Sequence, residues 1–370
     1  MAYLGEKIKK LGFGLMRLPR IGEEIDIEET KRMVDRFLAA GYTYFDTAWA
    51  YQGSEEAIKK ALVERYPRDS YRLATKNACW KGCETAADAE RQLETSLERT
   101  GAGYFDFYLL HNLGKGRTDA FDRFDMWNFV KKKKEEGILR HIGISAHTTP
   151  EDLDRILTEH PEIEFVQLQI NYADWENPSI QSRACYETVR RHGRSVIIME
   201  PVKGGMLANP HESVVKLLRE ADPSRTPSSW AIRFAAGLEG VITVLSGMSD
   251  LSQMEDNLKT MDSFEPMTEK ELAVIAEARA ALDRVPVIPC TRCDYCASVC
   301  PGEIGISALF RAENEMITYN HLGQAKFHLS MTLKDRNPAS ACLECGACEE
   351  VCPQQLPIRE LLKNCAEHFG

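Results

Sequence analysis

Nowhere in its 370 residues does this chain carry an apolar run of the roughly 18 residues that a membrane-spanning helix needs. No membrane is expected among its partners. It has no surplus of cations either. Lys and Arg total 46 against 56 Asp and Glu, a formal net charge of −10, so nucleic acid is not an expected partner. The run Lys131 to Lys134 ends a helical stretch before Gly137, where cations suit a helix C-terminus. No signal peptide is legible, which points to a reducing cytoplasm and away from disulfides. The Gly-rich dinucleotide fingerprint of a doubly wound sheet is missing as well. Gly12-Phe13-Gly14 runs into Leu15-Met16-Arg17 and does not complete it.

What the chain does have is cysteine: 12 in all, eight of them in one pattern written twice. The first copy is Cys290, Cys293, Cys296, Cys300 and Pro301, and the second is Cys342, Cys345, Cys348, Cys352 and Pro353. Both read C-x2-C-x2-C-x3-C-P, in which three thiolates wrap one [4Fe–4S] cube and the fourth crosses to another. The expected ligand sets are Cys290, Cys293, Cys296 and Cys352 for one cluster, and Cys342, Cys345, Cys348 and Cys300 for the other. Structural zinc favours paired C-x2-C knuckles with two ligands each, a poorer match. Cys79, Cys83, Cys185 and Cys365 are read as reduced thiols, with packing or loop roles for the first two.

Up to about residue 265, short β-rich runs alternate with helical periodicity. Strands are expected at 11–14, 44–46, 71–75, 105–110, 141–144, 165–169, 196–199 and 241–245, with helices such as 27–40 and 86–100 between them. Eight strands each followed by a helix indicate an α/β fold, a (β/α)8 barrel, with a doubly wound sheet as runner-up. A further helix is expected at 267–284, after which Pro286 and Pro289 break the chain. The expected domains are 1–284, the barrel, and 285–370, a small, mainly α-helical domain with two clusters. That tail repeats beyond its cysteines, since Cys300 to Ile306 parallels Cys352 to Ile358.

Barrels of this kind place their chemistry at the C-terminal ends of strands. Those ends offer Asp46, Lys76 and His111, with Tyr51 in the loop after Asp46. A phenol has an unperturbed pKa near about 10 and is a poor acid–base group at neutral pH. Lys76 would lower that pKa, Asp46 would hold Lys76, and His111 would donate to a carbonyl oxygen. Together they form a proton relay for carbonyl–alcohol interconversion. Trp49, Trp80 and Trp175 fall in rim loops, where they either pack loops together or wall an apolar pocket.

At this point residues 8–262 resemble the aldo-keto reductases, and the whole chain resembles the branch with a C-terminal dicluster ferredoxin domain. The matching stretches include Leu11 to Gly14, Phe45 to Tyr51, Ala74 to Lys76, Leu109 to His111, Gly143 to Ser145, Glu200-Pro201 and Asp256-Asn257. The resemblance implies a nicotinamide cofactor and a catalytic tetrad of Asp46, Tyr51, Lys76 and His111. It also implies carboxamide contacts from Ser145 and Gln167, adenine contact from Asn257, and Met199 where an aromatic residue commonly stacks. Ala146 stands where the family usually has Asn. Residues 246–253 hold no Arg or Lys, and Gln253 stands where the family commonly places Arg, so NADH is expected over NADPH. The leading expectation is an oxidoreductase acting on a small carbonyl or alcohol, linked to a ferredoxin or other electron carrier. Nicotinamide moves two electrons and a cluster one, so a flavin that bridges them is also compatible with the sequence. So is a barrel whose bound flavin or substrate is reduced by the clusters directly. A non-catalytic electron-transfer or docking subunit is the third competing expectation.

Overall fold

Short β-branched and aromatic runs form eight parallel strands in the computed structural model, which describes residues 3–114, 116–333 and 335–370. They are β1 (Leu11–Gly14), β2 (Tyr44–Asp46), β3 (Arg72–Asn77), β4 (Phe105–Leu113), β5 (Leu139–Ala146), β6 (Phe165–Gln169), β7 (Ser195–Met199) and β8 (Val241–Ser246). Each pairs with its sequence neighbours, and β1 pairs with both β2 and β8, so the sheet closes. Helices follow the strands, which makes the body a (β/α)8 barrel. The expected strands all occur, longer by a few residues at β3, β4 and β5.

The inner wall is filled by Tyr44, Ala74, Phe107, Leu109, Phe165, Ile197, Ile242 and Leu245, with Tyr3, Leu4 and Ile8 packed against them. The fit is tight at Gly143, where an added Cβ would lie 2.6 Å from the Phe165 ring and carbonyl. Local signals set the helices. Asp26 caps Ile27–Ala39 by accepting from the Glu29 amide, and Thr85 with Asp88 forms a capping box on Ala86–Thr100.

The chain divides into two compact units, Met1–Val202 with Ser229–Leu272, and Lys203–Ser228 with Ala273–Gly370. The boundary expected near residue 284 falls inside the second unit. That unit also takes most of the connection after β7. Within it, His211 N–H donates to the Thr318 carbonyl at 2.9 Å, and Lys203 lies 5.8 Å from the Tyr319 ring centre.

The second unit is built from Ile306–Tyr319, Leu322–Leu333, Ile358–Phe369 and two short helices, Tyr295–Ser298 and Ala347–Glu350. Its core includes Ile304, Ile306, Leu309, Phe310, Ile358, Leu362 and Cys365. The sequence repeat is also a backbone repeat. Three pairs of equivalent positions share positive φ: Arg292 with Glu344 (58° and 51°), Asp294 with Gly346 (60° and 82°), and Glu303 with Gln355 (49° and 52°). Each long helix after a fourth cysteine opens on a buried isoleucine, Ile306 or Ile358.

Candidate active site and cluster cavities

Four polar side chains meet near the C-terminal ends of β2, β3 and β4. Asp46 ends β2, and Tyr51 lies in the following loop. Lys76 is fully buried in β3, its Nζ 2.5 Å from Asp46 Oδ1 and 2.7 Å from the Thr47 carbonyl oxygen. The ammonium stands 4.8 Å from the Tyr51 ring centre and is hydrogen-bonded to the phenol. His111 completes the group, its ring centroid 5.7 Å from that of Tyr51. It sits where β4 slips register against β5, between Leu110 and Leu113, with Asn112 at φ 62°. Irregularities of this kind re-aim side chains toward a site. The Asn112 amide donates to Ser145 Oγ at 2.7 Å, which pins the kink.

Burial governs the electrostatics. It pulls the Lys76 ammonium down, but Asp46 and Tyr51 outweigh it, and the pKa lies above that of an ordinary lysine. Burial also pushes the Asp46 carboxyl up against the pull of Lys76. Tyr51 corrects an expectation. Lys76 does favour the phenolate, yet burial dominates and the pKa is raised. The phenol is therefore protonated at neutral pH, the form that donates a proton. His111 is held well below the usual imidazole range by burial, then by Lys76, His147 and Arg117, so its ring is neutral. Its Nδ1 is buried without a hydrogen-bond partner.

Next to this group, Ser145 and Gln167 pair in register on β5 and β6. Ser145 Oγ accepts from Asn112, which leaves its own O–H as a donor. Gln167 Oε1 is buried and has no partner. One donor beside one unmet acceptor complements a primary carboxamide, so these residues fit a nicotinamide. Met199 ends β7, half-buried. Asn257, buried in the helix Leu251–Asp262, donates to Ser246 Oγ at 2.8 Å and keeps its carbonyl oxygen as an acceptor. The three tryptophans separate. Trp80 lies 6.3 Å from the His111 ring and donates to the His111 carbonyl at 2.8 Å. Trp49, next in sequence to Ala48, keeps a buried, unpartnered indole N–H. Trp175 instead packs edge-on against Phe234 at 5.5 Å, a contact between side chains of the scaffold. Burial pushes the Cys79 thiol up to about 12, with Cys83 adding to the shift, which leaves it an inert packing group.

In the second unit the eight motif cysteines line two cavities. One is bounded by Cys290, Cys293, Cys296 and Cys352. The other is bounded by Cys300, Cys342, Cys345 and Cys348. The structure thus groups the cysteines in the two sets expected from their spacing. Among the described residues, no three His, Cys, Asp or Glu side chains converge as closely as a single ion requires. Four soft sulfurs spread around a cavity suit a cube with iron at its corners. Burial pushes the Cys296 thiol up to about 11, with Cys290 adding to the shift.

Residues 10–280 match the family model described as the aldo/keto reductase family. The chain belongs to that family. Residues 287–356 match a second model, a 4Fe-4S dicluster domain. An aldo-keto reductase of Mycolicibacterium vanbaalenii is 31% identical over 263 residues, covering 70% of this chain and 84% of the relative. L-galactose dehydrogenase of Arabidopsis thaliana is 24% identical, covering 76% and 92% respectively. Among solved structures, the holo form of the aldo-keto reductase AKR11C1 from Bacillus halodurans superimposes with a TM-score of 0.59 at 27% identity, covering 74% of this chain and 93% of that one. An aldo/keto reductase from Klebsiella pneumoniae, in complex with NADP and acetate, has a TM-score of 0.58 at 20% identity, covering 73% and 91%, and speaks for the fold alone. This aldo/keto reductase is therefore an oxidoreductase-family barrel followed by a 4Fe–4S dicluster domain.

Some residues of the site carried no sequence signal. Glu55 is buried, accepts from Thr75 Oγ1 at 2.7 Å, and ties the helix Ser54–Ile58 to β3 beside Lys76. Ser54 adds a bond to the Leu15 carbonyl at 3.0 Å and sits 2.7 Å from Thr47 Oγ1. Their partners lie too far away in sequence to be read from it. Arg17 is another. Its aliphatic stem lies against Gly247, so the cation-free stretch 246–253 does not make the surrounding site cation-free. The physical basis for expecting NADH over NADPH is weakened accordingly.

Proposed function

We propose that the barrel interconverts a small carbonyl compound and its alcohol, with Tyr51 as the proton donor and acceptor. The observation that carries this reading is the buried chain Asp46–Lys76–Tyr51 beside a neutral His111. A reduced nicotinamide held by Ser145, Gln167, Met199 and Asn257 would supply the hydride. His111 donates a hydrogen bond to the substrate oxygen and adds no second charge to the site. Tyr51 passes its proton to that oxygen as negative charge develops on it. Lys76 then stabilises the phenolate left behind, and Asp46 with the Thr47 carbonyl fixes the ammonium. In the oxidative direction the same groups act in reverse. Trp80, beside His111, would wall the pocket and favour an apolar substrate.

The eight cysteines would hold two [4Fe–4S] clusters, which supply one-electron transfer to a ferredoxin or similar carrier. Wild-type protein prepared without oxygen is the test. About eight irons and eight sulfides per chain, together with binding of a nicotinamide cofactor and turnover of a carbonyl, would support both halves. Stoichiometric zinc without sulfide would end the cluster half, and failure to bind either nicotinamide would end the hydride half.

A further inference from the structure

We propose that Arg117 binds a carboxylate carried by the substrate, so that the barrel acts on oxo acids, carbonyl compounds with an apolar body and an anionic end. The inference rests on the carbonyl reading above and names its substrate class. Arg117 stands just before the helix Thr118–Arg123, in the connection that follows β4 and His111. Its Nε donates to the Asn112 carbonyl oxygen at 2.7 Å, so the guanidinium is anchored to the residue next to His111. The guanidinium carbon lies 5.8 Å from the centre of the Trp80 ring. That same ring lies 6.3 Å from the ring of His111 and donates to the His111 carbonyl. A substrate laid along Trp80, with its reacting oxygen at His111, has a cation within reach of its other end.

The main chain fixes where this cation stands. The Arg117 amide donates to the Gly114 carbonyl at 2.9 Å, and the His147 amide donates to the Leu113 carbonyl at 2.8 Å. A Cβ on Gly114 would stand 2.3 Å from the His147 carbonyl oxygen, so glycine is what lets the connection pack against the end of β5. The charge is also unmatched. Lys76 is paired with Asp46. Arg117, among the described residues, meets a carbonyl oxygen and an aromatic face, and no carboxylate forms an ion pair with it. His147 adds no second cation, because burial, then Arg117, bring its pKa down to about 4 against the pull of Gln169. Arg117 also helps to hold His111 neutral, which keeps its charge within electrostatic reach of the reacting end. A guanidinium presents coplanar donors that match the two oxygens of a carboxylate.

The test compares 4-carboxybenzaldehyde with its methyl ester, and the 3-substituted pair in the same way, on the full chain loaded with clusters and reduced nicotinamide. Arg117→Met and Arg117→Gln remove the charge, and Arg117→Lys restores one. Iron content and cofactor affinity report whether each variant is folded. Wild type should show a higher kcat/KM for the acid than for the ester. In the neutral variants that preference should fall about ten- to hundredfold, with the loss in KM rather than kcat, and Arg117→Lys should recover part of it. A loss of equal size for acid and ester overturns the proposal and makes Arg117 a support for the His111 connection. A preference unchanged in the neutral variants, or absent from wild type, also overturns it and leaves the carbonyl reading standing. Wild-type protein that binds a reduced nicotinamide and reduces none of the aldehydes overturns the carbonyl reading, and this inference with it.

Discussion

The barrel and the dicluster unit hold their reactive groups in opposite ways. In the barrel, protein alone fixes the site. Lys76 is charge-matched by Asp46 and hydrogen-bonded by the Thr47 carbonyl, and the loop carrying Tyr51 is tied down through Ser54 and Glu55. In the dicluster unit, burial raises the thiols of Cys290, Cys296 and Cys348, and Arg292, Asp294, Glu303, Glu344 and Gln355 adopt left-handed backbone. Each such residue costs on the order of 1 kcal/mol, and the core beneath is small. In the barrel a buried ammonium meets the buried carboxylate, whereas among the cysteines of the second unit burial and neighbouring thiols both raise the pKa. Loss of Lys76 is therefore expected to cost chemistry more than folding, and loss of a motif cysteine to cost the folding of its own unit first.

The largest effect should follow loss of a ligand. Cys293→Ser is expected to lose or degrade one cluster and to loosen residues 285–370, with β2 and β3 still protected in hydrogen exchange. Residues 203–228 should loosen with the tail, because they belong to its unit. Protection of 203–228 that instead follows the barrel strands would break the division.

Next comes Lys76→Met. Without the ammonium, Tyr51 loses the one neighbour that favours its phenolate, while burial and Asp46 still oppose it. Turnover should fall by about 10²–10⁴-fold, and the iron content should be unchanged. Equal losses of iron and activity would mean that the two regions are not separable.

A smaller effect tests the barrel's own charge balance. Burial pushes the Glu164 carboxyl up, but His141, Lys134 and the Ile142 amide outweigh it and bring its pKa to about 2, from 4.5. A pKa depressed by folding adds stability that is fully present above about 4.5 and is lost as pH falls toward about 2. Glu164→Gln should therefore lower the midpoint of thermal unfolding near neutral pH. The gap to wild type should close in acid, and a gap constant with pH would assign the glutamate a packing role.

Most of the strand order was legible, because runs such as Phe165–Gln169 and Val241–Ser246 are apolar and bounded by turns. The cysteine grouping was legible from spacing, and its repeat from the parallel isoleucines. Asp46, Lys76 and His111 could be found because strand ends were. The rest depends on contacts between distant residues or on main-chain groups. Thr47 holds Lys76 through a carbonyl that any residue would supply, and Arg17 meets Gly247 across more than half the chain. The irregularity at His111 and the transfer of Lys203–Ser228 to the second unit likewise have no local signature.

The proton role of Tyr51 is the central functional claim, and a single-turnover experiment tests it most directly. Protein saturated with the reduced nicotinamide that it binds is mixed with an aromatic aldehyde, and cofactor oxidation is followed in wild type and in Tyr51→Phe. The expected result is oxidation slowed by about 10²–10⁴-fold in the variant, with cofactor affinity and iron content preserved. Oxidation at the wild-type rate in Tyr51→Phe would contradict the claim.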